Sequence, residues 1–377
     1  MNVKRHLLLS VLLALGLLPN ISFAQKDSNK AINYKPVSDE PFKINKLWLH
    51  LQPISSDIFM TNFSLGYGMQ ANYFMSVGKA SDNLDIKIAF RSSYGKRTDF
   101  ARNSALDGNT EVNASIDVDG RRLPIVNDFK RWNIFEIGAC YHIKDDDSKR
   151  GSTKIMLTSK NKKIREYTLV DYIKVDSKIR EIMGGRLGFI AYGSTTSLSA
   201  AMRKQGRDLK GDDGSVLKAD GSTIYANGTQ TAANQNRVYG NITSTGFYLG
   251  GSYGIIRNVV VKPDRFPNLA NNIMFNSYFD LIIAPATKVE DVKALVNNTP
   301  VYITYDASSL KVSKVGWRAG FDVMYNQDYY WSFGGEIGAR PTLGKRGIYV
   351  SGRIGIPVFS FRFKGGRPAS TVGGGLK

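Results

Sequence analysis

From Val315 onward, apolar residues and polar or glycine residues alternate with a period of two. Val315, Trp317, Ala319, Phe321, Val323 and Tyr325 hold one parity, and Lys314, Gly316, Arg318, Gly320, Asp322 and Asn326 hold the other. Only Met324 departs from the polar face. Successive side chains of a strand point to opposite faces, so this pattern predicts a strand with one apolar side. Trp331, Phe333, Ile337 and Ala339 repeat the scheme against Ser332, Gly334, Glu336, Gly338 and Arg340. Ile348, Val350, Ile354 and Ile356 do so against Tyr349, Ser351, Arg353 and Gly355. Pro357 then shifts the phase, and Phe359, Phe361 and Phe363 take the apolar parity against Ser360 and Arg362. A bulge at Pro357 is expected, because proline cannot donate to a ladder.

Earlier segments obey the same rule. Phe63 to Met75 alternates with Phe74 as its exception, Ile86, Ile88, Phe90 and Tyr94 oppose Lys87, Ala89, Arg91 and Ser93, and Phe135 to Tyr141 opposes Glu136 to His142. A soluble β-sandwich also alternates, but its strands are usually about 5–6 residues long. Segments that hold phase for about 9–11 positions are what a tilted membrane strand requires. The fold expected is therefore all-β, an antiparallel transmembrane β-barrel of about 12 strands (10–14) with long extracellular loops and short periplasmic turns. The expected strand cores are 44–51, 61–77, 84–95, 131–143, 151–159, 164–177, 183–198, 236–256, 271–285, 310–325, 330–341 and 347–363. Long polar connections at 96–130, 199–235 and 286–309 then fall on one side and most short turns on the other, as such barrels require. Thr287 to Asn297 carries Val289, Val292, Leu295 and Val296 at near-helical spacing, read as a short helix or lid.

The N-terminus sets the compartment. Lys4 and Arg5 precede an apolar run from Leu7 to Leu18, then Pro19 and a small-x-small end at Ser22 and Ala24. That is the pattern of a secretory signal peptide cleaved between Ala24 and Gln25, with an apolar run too short to span a bilayer. The expected organisation is a signal peptide at 1–24, a periplasmic extension at 25–43 that plugs the lumen or binds a partner, a barrel at 44–363 and a Gly-rich periplasmic tail at 364–377. Beyond the signal, no apolar stretch reaches the roughly 20 residues of a spanning helix. Cys140 is the only cysteine and excludes an internal disulfide.

The signal peptide, the alternating aromatic strands and the closing strand from Ile354 to Phe363 resemble Gram-negative outer-membrane barrel proteins. In style, with Gly184 to Phe189 and Gly316 to Phe321 as Arg-x-Gly-Phe segments, the chain is similar to uncharacterised Bacteroidetes-type barrels. That resemblance implies that the barrel-assembly machinery reads the terminal aromatics Phe359, Phe361 and Phe363. The tail after Lys364 departs from the class, which usually ends at the aromatic.

Charge adds the functional content. The formal net charge is +19, or +17 once Lys4 and Arg5 are removed. At the outer membrane the nearest anions are lipopolysaccharide phosphates and anionic solutes, and no nucleic acid partner is expected. Lys160, Lys162, Lys163 and Arg165 cluster at a turn placed outside by the twelve-strand count, where they would contact lipopolysaccharide. Arg91, Arg318, Arg340, Arg353 and Arg362 fall on the inward parity with Glu136, Asp322 and Glu336 as lumen-lining candidates. Rings of charged side chains set ion preference in a pore, so one reading is a porin-like channel for small anionic solutes. The other is a closed barrel filled by its own ions, serving as scaffold, adhesin or accessory subunit of an envelope complex. No catalytic set, cofactor or metal site is expected: His142 beside Asp145, Asp146 and Asp147 reads as a solvated hairpin turn.

Overall fold

The computed structural model describes residues 33–363, except 60–61, 76–83, 96–97, most of 100–130, and 147, 158–161, 165–166, 170–171, 231–237, 265, 296–301, 327–329 and 345–346. Two compact units emerge, one of them the barrel with its connections. Ten antiparallel strands form the barrel: β1 Lys46–Phe59, β2 Asn62–Met75, β3 Leu84–Ser93, β4 Asn133–Asp146, β5 Arg180–Ser197, β6 Tyr239–Ile256, β7 Ile273–Ile283, β8 Val315–Tyr325, β9 Ser332–Ala339 and β10 Ile348–Arg362. Each pairs with its chain neighbour, and β1 pairs with both β2 and β10, so the sheet closes and has no free edge.

The period of two decides which way each side chain faces. Along β6 and β7, Leu249 and Ile283 are 64% and 60% exposed while Tyr248 and Asp280 are 2% and 0% exposed. Every barrel strand contributes large apolar residues to this outer belt, among them Leu65, Phe90, Ile137, Leu187, Phe321 and Ile337. A water-soluble fold buries such residues; a belt on a closed barrel is what hydrocarbon solvates.

The count of ten is the lower bound of the expected 10–14, two short of the twelve strand cores drawn. The expected cores 151–159 and 164–177 supply no barrel strand among the described residues: Arg150–Met156 pairs with Tyr172–Lys178 in the smaller unit. Both strands are seven residues long and their polarity is inverted. Ile155, Ile173 and Val175 are buried against Val259 and Val261, while Ser152, Lys154, Lys174 and Asp176 face outward. That is an ordinary water-facing hairpin, and alternation alone does not reveal which parity faces the core. Tyr34–Asp39, from the expected extension, pairs with Val259–Pro263 in the same unit, and the Asp39 carboxylate accepts the Lys178 amide at 2.9 Å.

Strand β1 continues past the expected end at 51 because a bulge absorbs Pro53, with register shifts at Leu51/Ile54 against β10 and Gln52/Ser55 against β2. The bulge expected at Pro357 is present: Leu49 faces Phe359 and His50 faces Pro357, which leaves Val358 unpaired. Among the described residues of 287–297, read as a short helix or lid, none is helical. Val292–Leu295 is a strand that pairs with Tyr302–Asp306, and Lys288–Val289 pairs with β6. Non-local pairing of β-branched residues overrides a helical spacing this short.

We call the barrel end where the chain enters and leaves the near end, and the other the far end. The chain passes from β3 to β4, from β5 to β6 and from β7 to β8 at the far end, as the strand parity dictates. There, helix α1 Leu198–Gln205 ends at Gly206, whose φ of 60° is left-handed. It is followed by a five-stranded sheet of Leu209–Gly211, Val216–Leu217, Thr223–Ile224, Val292–Leu295 and Tyr302–Asp306. Three turns repeat every seven residues: Asp213-Gly214-Ser215, Asp220-Gly221-Ser222 and Asn227-Gly228-Thr229. Each glycine has φ between 82° and 85°, and each Asp or Asn carbonyl or carboxylate oxygen accepts the amide two residues on at 2.9–3.0 Å. Burial pushes the Asp220 carboxyl upward, but the Ser222 hydroxyl and amide that donate to it hold it below its ordinary range. Leu198, Met202, Leu217, Val292 and Tyr305 pack in one cluster with Ile134 and Tyr192 of the barrel, so an apolar layer runs from the strands into the far-end sheet.

Candidate functional site: the charged lumen

The inward parity of eight strands converges on one ion network. Arg318 on β8 is its centre: Nη2 lies 2.7 Å from Glu136 Oε1 on β4, Nε 2.8 Å from Asp280 Oδ2 on β7, and Nη1 3.7 Å from Glu336 Oε2 on β9. Arg186 on β5 reaches the other Asp280 oxygen at 3.0 Å. Lys87 on β3 stands between Glu136 and Asp322 at 3.6 and 3.4 Å, and Arg353 on β10 meets Asp322 at 2.5 Å. Arg91 approaches Glu136 at 3.7 Å, and Arg340 holds both oxygens of Asp57 at 2.6 and 3.0 Å. Six cations therefore face five carboxylates, all of them at least largely buried.

Three tyrosines knit the network to the wall. Tyr278 donates its hydroxyl to Glu336 at 2.9 Å, and Tyr349 donates to the same carboxylate. The Arg318, Arg186 and Arg340 guanidinium carbons lie 4.3, 4.1 and 3.7 Å from the ring centres of Tyr248, Tyr278 and Tyr349. The rings lie flat on inward glycines. A Cβ on Gly138 would sit 1.8 Å from the Tyr248 hydroxyl oxygen, and one on Gly320 would sit 2.6 Å from the Tyr278 ring.

Apolar layers bracket the network. One is the far-end layer; near the other end, Ile44, Trp48, Phe74, Ile182, Ile256 and Met274 form a second cluster with Met324 against it. Between this cluster and the ions lies a cavity of about 80 Å³ lined by Asp85, Lys87, Cys140, Arg186 and Asp322 among others. On the far side of the ions, one of about 10 Å³ is lined by Tyr192, Arg340 and Tyr349, room for a single water. A ladder of buried amides completes the wall: Gln52 donates to Gln70 at 2.9 Å and Gln70 to Asn72 at 3.0 Å.

Of the residues expected to line the lumen, Arg91, Glu136, Arg318, Asp322, Glu336, Arg340 and Arg353 are buried in it. Arg362 is not: as the last residue of β10, past the bulge, it is exposed. Sequence reasoning missed Asp57, Lys87, Arg186 and Asp280. Lys87 stood on a polar parity, Arg186 stood in an Arg-x-Gly-Phe segment, and Asp57 lay beyond the expected strand end at 51. The buried arginines expected to bias a pore towards anions, Arg91, Arg318, Arg340 and Arg353, are each engaged by a carboxylate, so the geometry gives that bias no support.

Phe359 and Phe361 are exposed on the outer face, and Phe363 stacks edge-on against Phe361 and Tyr73 at 4.8 and 5.2 Å. Its amide donates to Asn45 at 3.0 Å, which fixes the end of the closing strand. The side chains of Lys160, Lys162, Lys163 and Arg165 lie outside the described residues, as does the tail from 364.

No protein-family description matches the chain, and neither does any curated protein. Distant likeness to solved structures exists. A mutant of the TodX monoaromatic hydrocarbon channel is 11% identical over 85% of this chain and 90% of its own, with a TM-score of 0.24. The Ralstonia pickettii toluene transporter TbuX is 9% identical over 84% and 88%, with a TM-score of 0.25. The Pseudomonas putida toluene transporter TodX is 12% identical over 83% and 88%, with a TM-score of 0.20, and at these values the likenesses carry no argument about what this chain transports or binds.

Proposed function

We propose that this chain is an outer-membrane β-barrel with an occluded lumen, a scaffold that presents its far-end sheet and loops to a partner in the envelope. The observation that carries this reading is the Arg318, Glu136 and Asp280 knot, whose side chains are 0% exposed, set between two apolar layers. Charges that select ions must meet the permeating solution; these meet each other. The apolar outer belt supports the membrane assignment, and the export signal in the sequence supports the outer membrane.

Single-channel recording of the refolded mature protein in planar bilayers is expected to stay silent. Steady openings that diminish when Arg318 and Arg353 are replaced would overturn the occluded reading in favour of a porin-like channel. The membrane assignment has its own test. Leu249→Arg, at the middle of β6, is expected to destabilise the barrel by about 2–4 kcal/mol in liposomes, as charges on a lipid-facing surface do. An unchanged unfolding midpoint would show that this face meets water.

A further inference from the structure

The near end of the lumen holds a second constellation that the ion network does not use. Asp85 and Cys140 are direct partners across β3 and β4, and His142 follows two residues along β4 on the same inward face. A carboxylate oxygen, the Cys140 Sγ and a His142 ring nitrogen all lie within 4.8 Å of one another. Cys140 and His142 are 6% and 1% exposed. His142 Nε2 stands 3.0 Å from Asp85 Oδ2, Cys140 Sγ lies 3.1 Å from the Ser252 hydroxyl, and the buried Asp85 Oδ1 makes no hydrogen bond. Buried polar atoms left in this state are costly unless something else satisfies them.

The surroundings are arranged as a metal site would need. Behind the ring, His142 Nδ1 faces Asp145 Oδ2 at 3.6 Å, and Asp145 is fixed by Arg180, whose Nε donates to it at 2.7 Å. A carboxylate behind an imidazole orients the ring that ligates a metal from its other nitrogen. Gly184 leaves space for the thiol: a Cβ there would stand 2.3 Å from Cys140 Sγ. The cavity of about 80 Å³ borders Asp85 and Cys140, which gives room for a water ligand, and the Asp85 side chain is 29% exposed, which gives a path of approach.

The geometry points to a binding site for a zinc-class divalent cation, with the Asp85 carboxylate, the Cys140 thiolate and the His142 imidazole as ligands and a water in the fourth position. One carboxylate, one thiolate and one imidazole match the ligand chemistry of a tetrahedral site with an open position. The two anionic ligands neutralise the divalent ion, so the loaded site carries no net charge of its own. Binding releases the Cys140 thiol proton, and also the His142 proton if the ring is an imidazolium before loading. The competing arrangement is that imidazolium, clamped between Asp85 and Asp145, with Cys140 as packing alone. The site does not depend on whether the lumen conducts.

Titration of the untagged, full-length mature barrel in detergent micelles with cobalt(II), followed by displacement with zinc, decides between them. Cys140 is the only cysteine of the chain, so a thiolate-to-cobalt charge-transfer band reports this site and no other. The expected result is one equivalent bound, no band in Cys140→Ser, and binding weakened about tenfold or more in Asp85→Asn. Circular dichroism checks that each variant is folded. Folded wild-type protein without the band, or a folded Cys140→Ser with unchanged zinc affinity, overturns the proposal and leaves the imidazolium pair. Should Cys140→Ser fail to fold, the wild-type titration alone decides, backed by whether zinc slows alkylation of Cys140.

Discussion

Replacing Arg318 with alanine is expected to lower the barrel's unfolding free energy by about 3–5 kcal/mol, the usual consequence of stranding buried charges by removing their partner. Three carboxylates depend on this one guanidinium: Glu136, Asp280 and Glu336, which are 0%, 0% and 4% exposed. Arg186 retains a hold on Asp280, and Lys87 and Arg91 on Glu136, so the loss falls short of three full charge burials. Denaturant unfolding of the refolded barrel measures it. Pairing Arg318→Met with Glu136→Gln should cost less than the sum of the two single changes, because the double variant leaves fewer unpaired charges. A loss below about 1 kcal/mol for the alanine variant, the scale of a surface ion pair, would mean that water reaches these carboxylates and that the lumen is open.

The second large effect is steric. Gly138→Val places a Cβ where the Tyr248 hydroxyl now lies, 1.8 Å away, with the ring carbon bearing that hydroxyl at 2.7 Å. Overpacking of this kind typically costs about 1–3 kcal/mol, and the upper end is expected because Tyr248 has nowhere to swing: Arg318 covers it and Gly188 backs it. Most of the clash at Gly138 is with the side chain of Tyr248, and the nearest backbone oxygen, of Leu187, is at 3.0 Å. Tyr248→Leu should therefore recover a coupling of about 1–3 kcal/mol in the double variant, measured by the same unfolding transitions. Strict additivity would show that the backbone, and not the ring, sets the limit at this position.

Much of this architecture was legible in the period of two. The parity of β8, β9 and β10 placed Arg318, Asp322, Glu336 and Arg353 on one face before any coordinates, and the phase shift at Pro357 located a bulge. Even the exceptions were informative: Phe74 and Met324, the apolar residues on polar parities, meet in the near-end cluster. What the pattern does not carry is partnership across the barrel. Lys87 and Asp322 are 235 residues apart, and nothing local to either selects the other. Nor does alternation distinguish a strand whose apolar face meets lipid from one whose apolar face meets a protein core, which is why the hairpin of Arg150–Met156 and Tyr172–Lys178 was counted in the barrel. The seven-residue turn repeat at Asp213, Asp220 and Asn227 was present in the sequence and unread, and it marks the far-end region as built structure. The near-end ligand set is the least visible of all, since Asp85 joins Cys140 and His142 only through the register of β3 against β4.

The seam between the first and last strands carries a kinetic consequence. Ser56 and the Gly352 carbonyl that faces it are 296 residues apart, whereas every other barrel ladder joins strands consecutive in the chain. Loop-closure entropy makes so distant a pairing the slowest to form. The same seam contains Pro53 and Pro357, which lack amide donors, and two register shifts. It is thus the last ladder to zip, and its irregular register is fixed only when both ends are in place. Until both termini have arrived, the eight strands between them form an open sheet with two unsatisfied edges, so maturation of this barrel is timed by the arrival of its final strand.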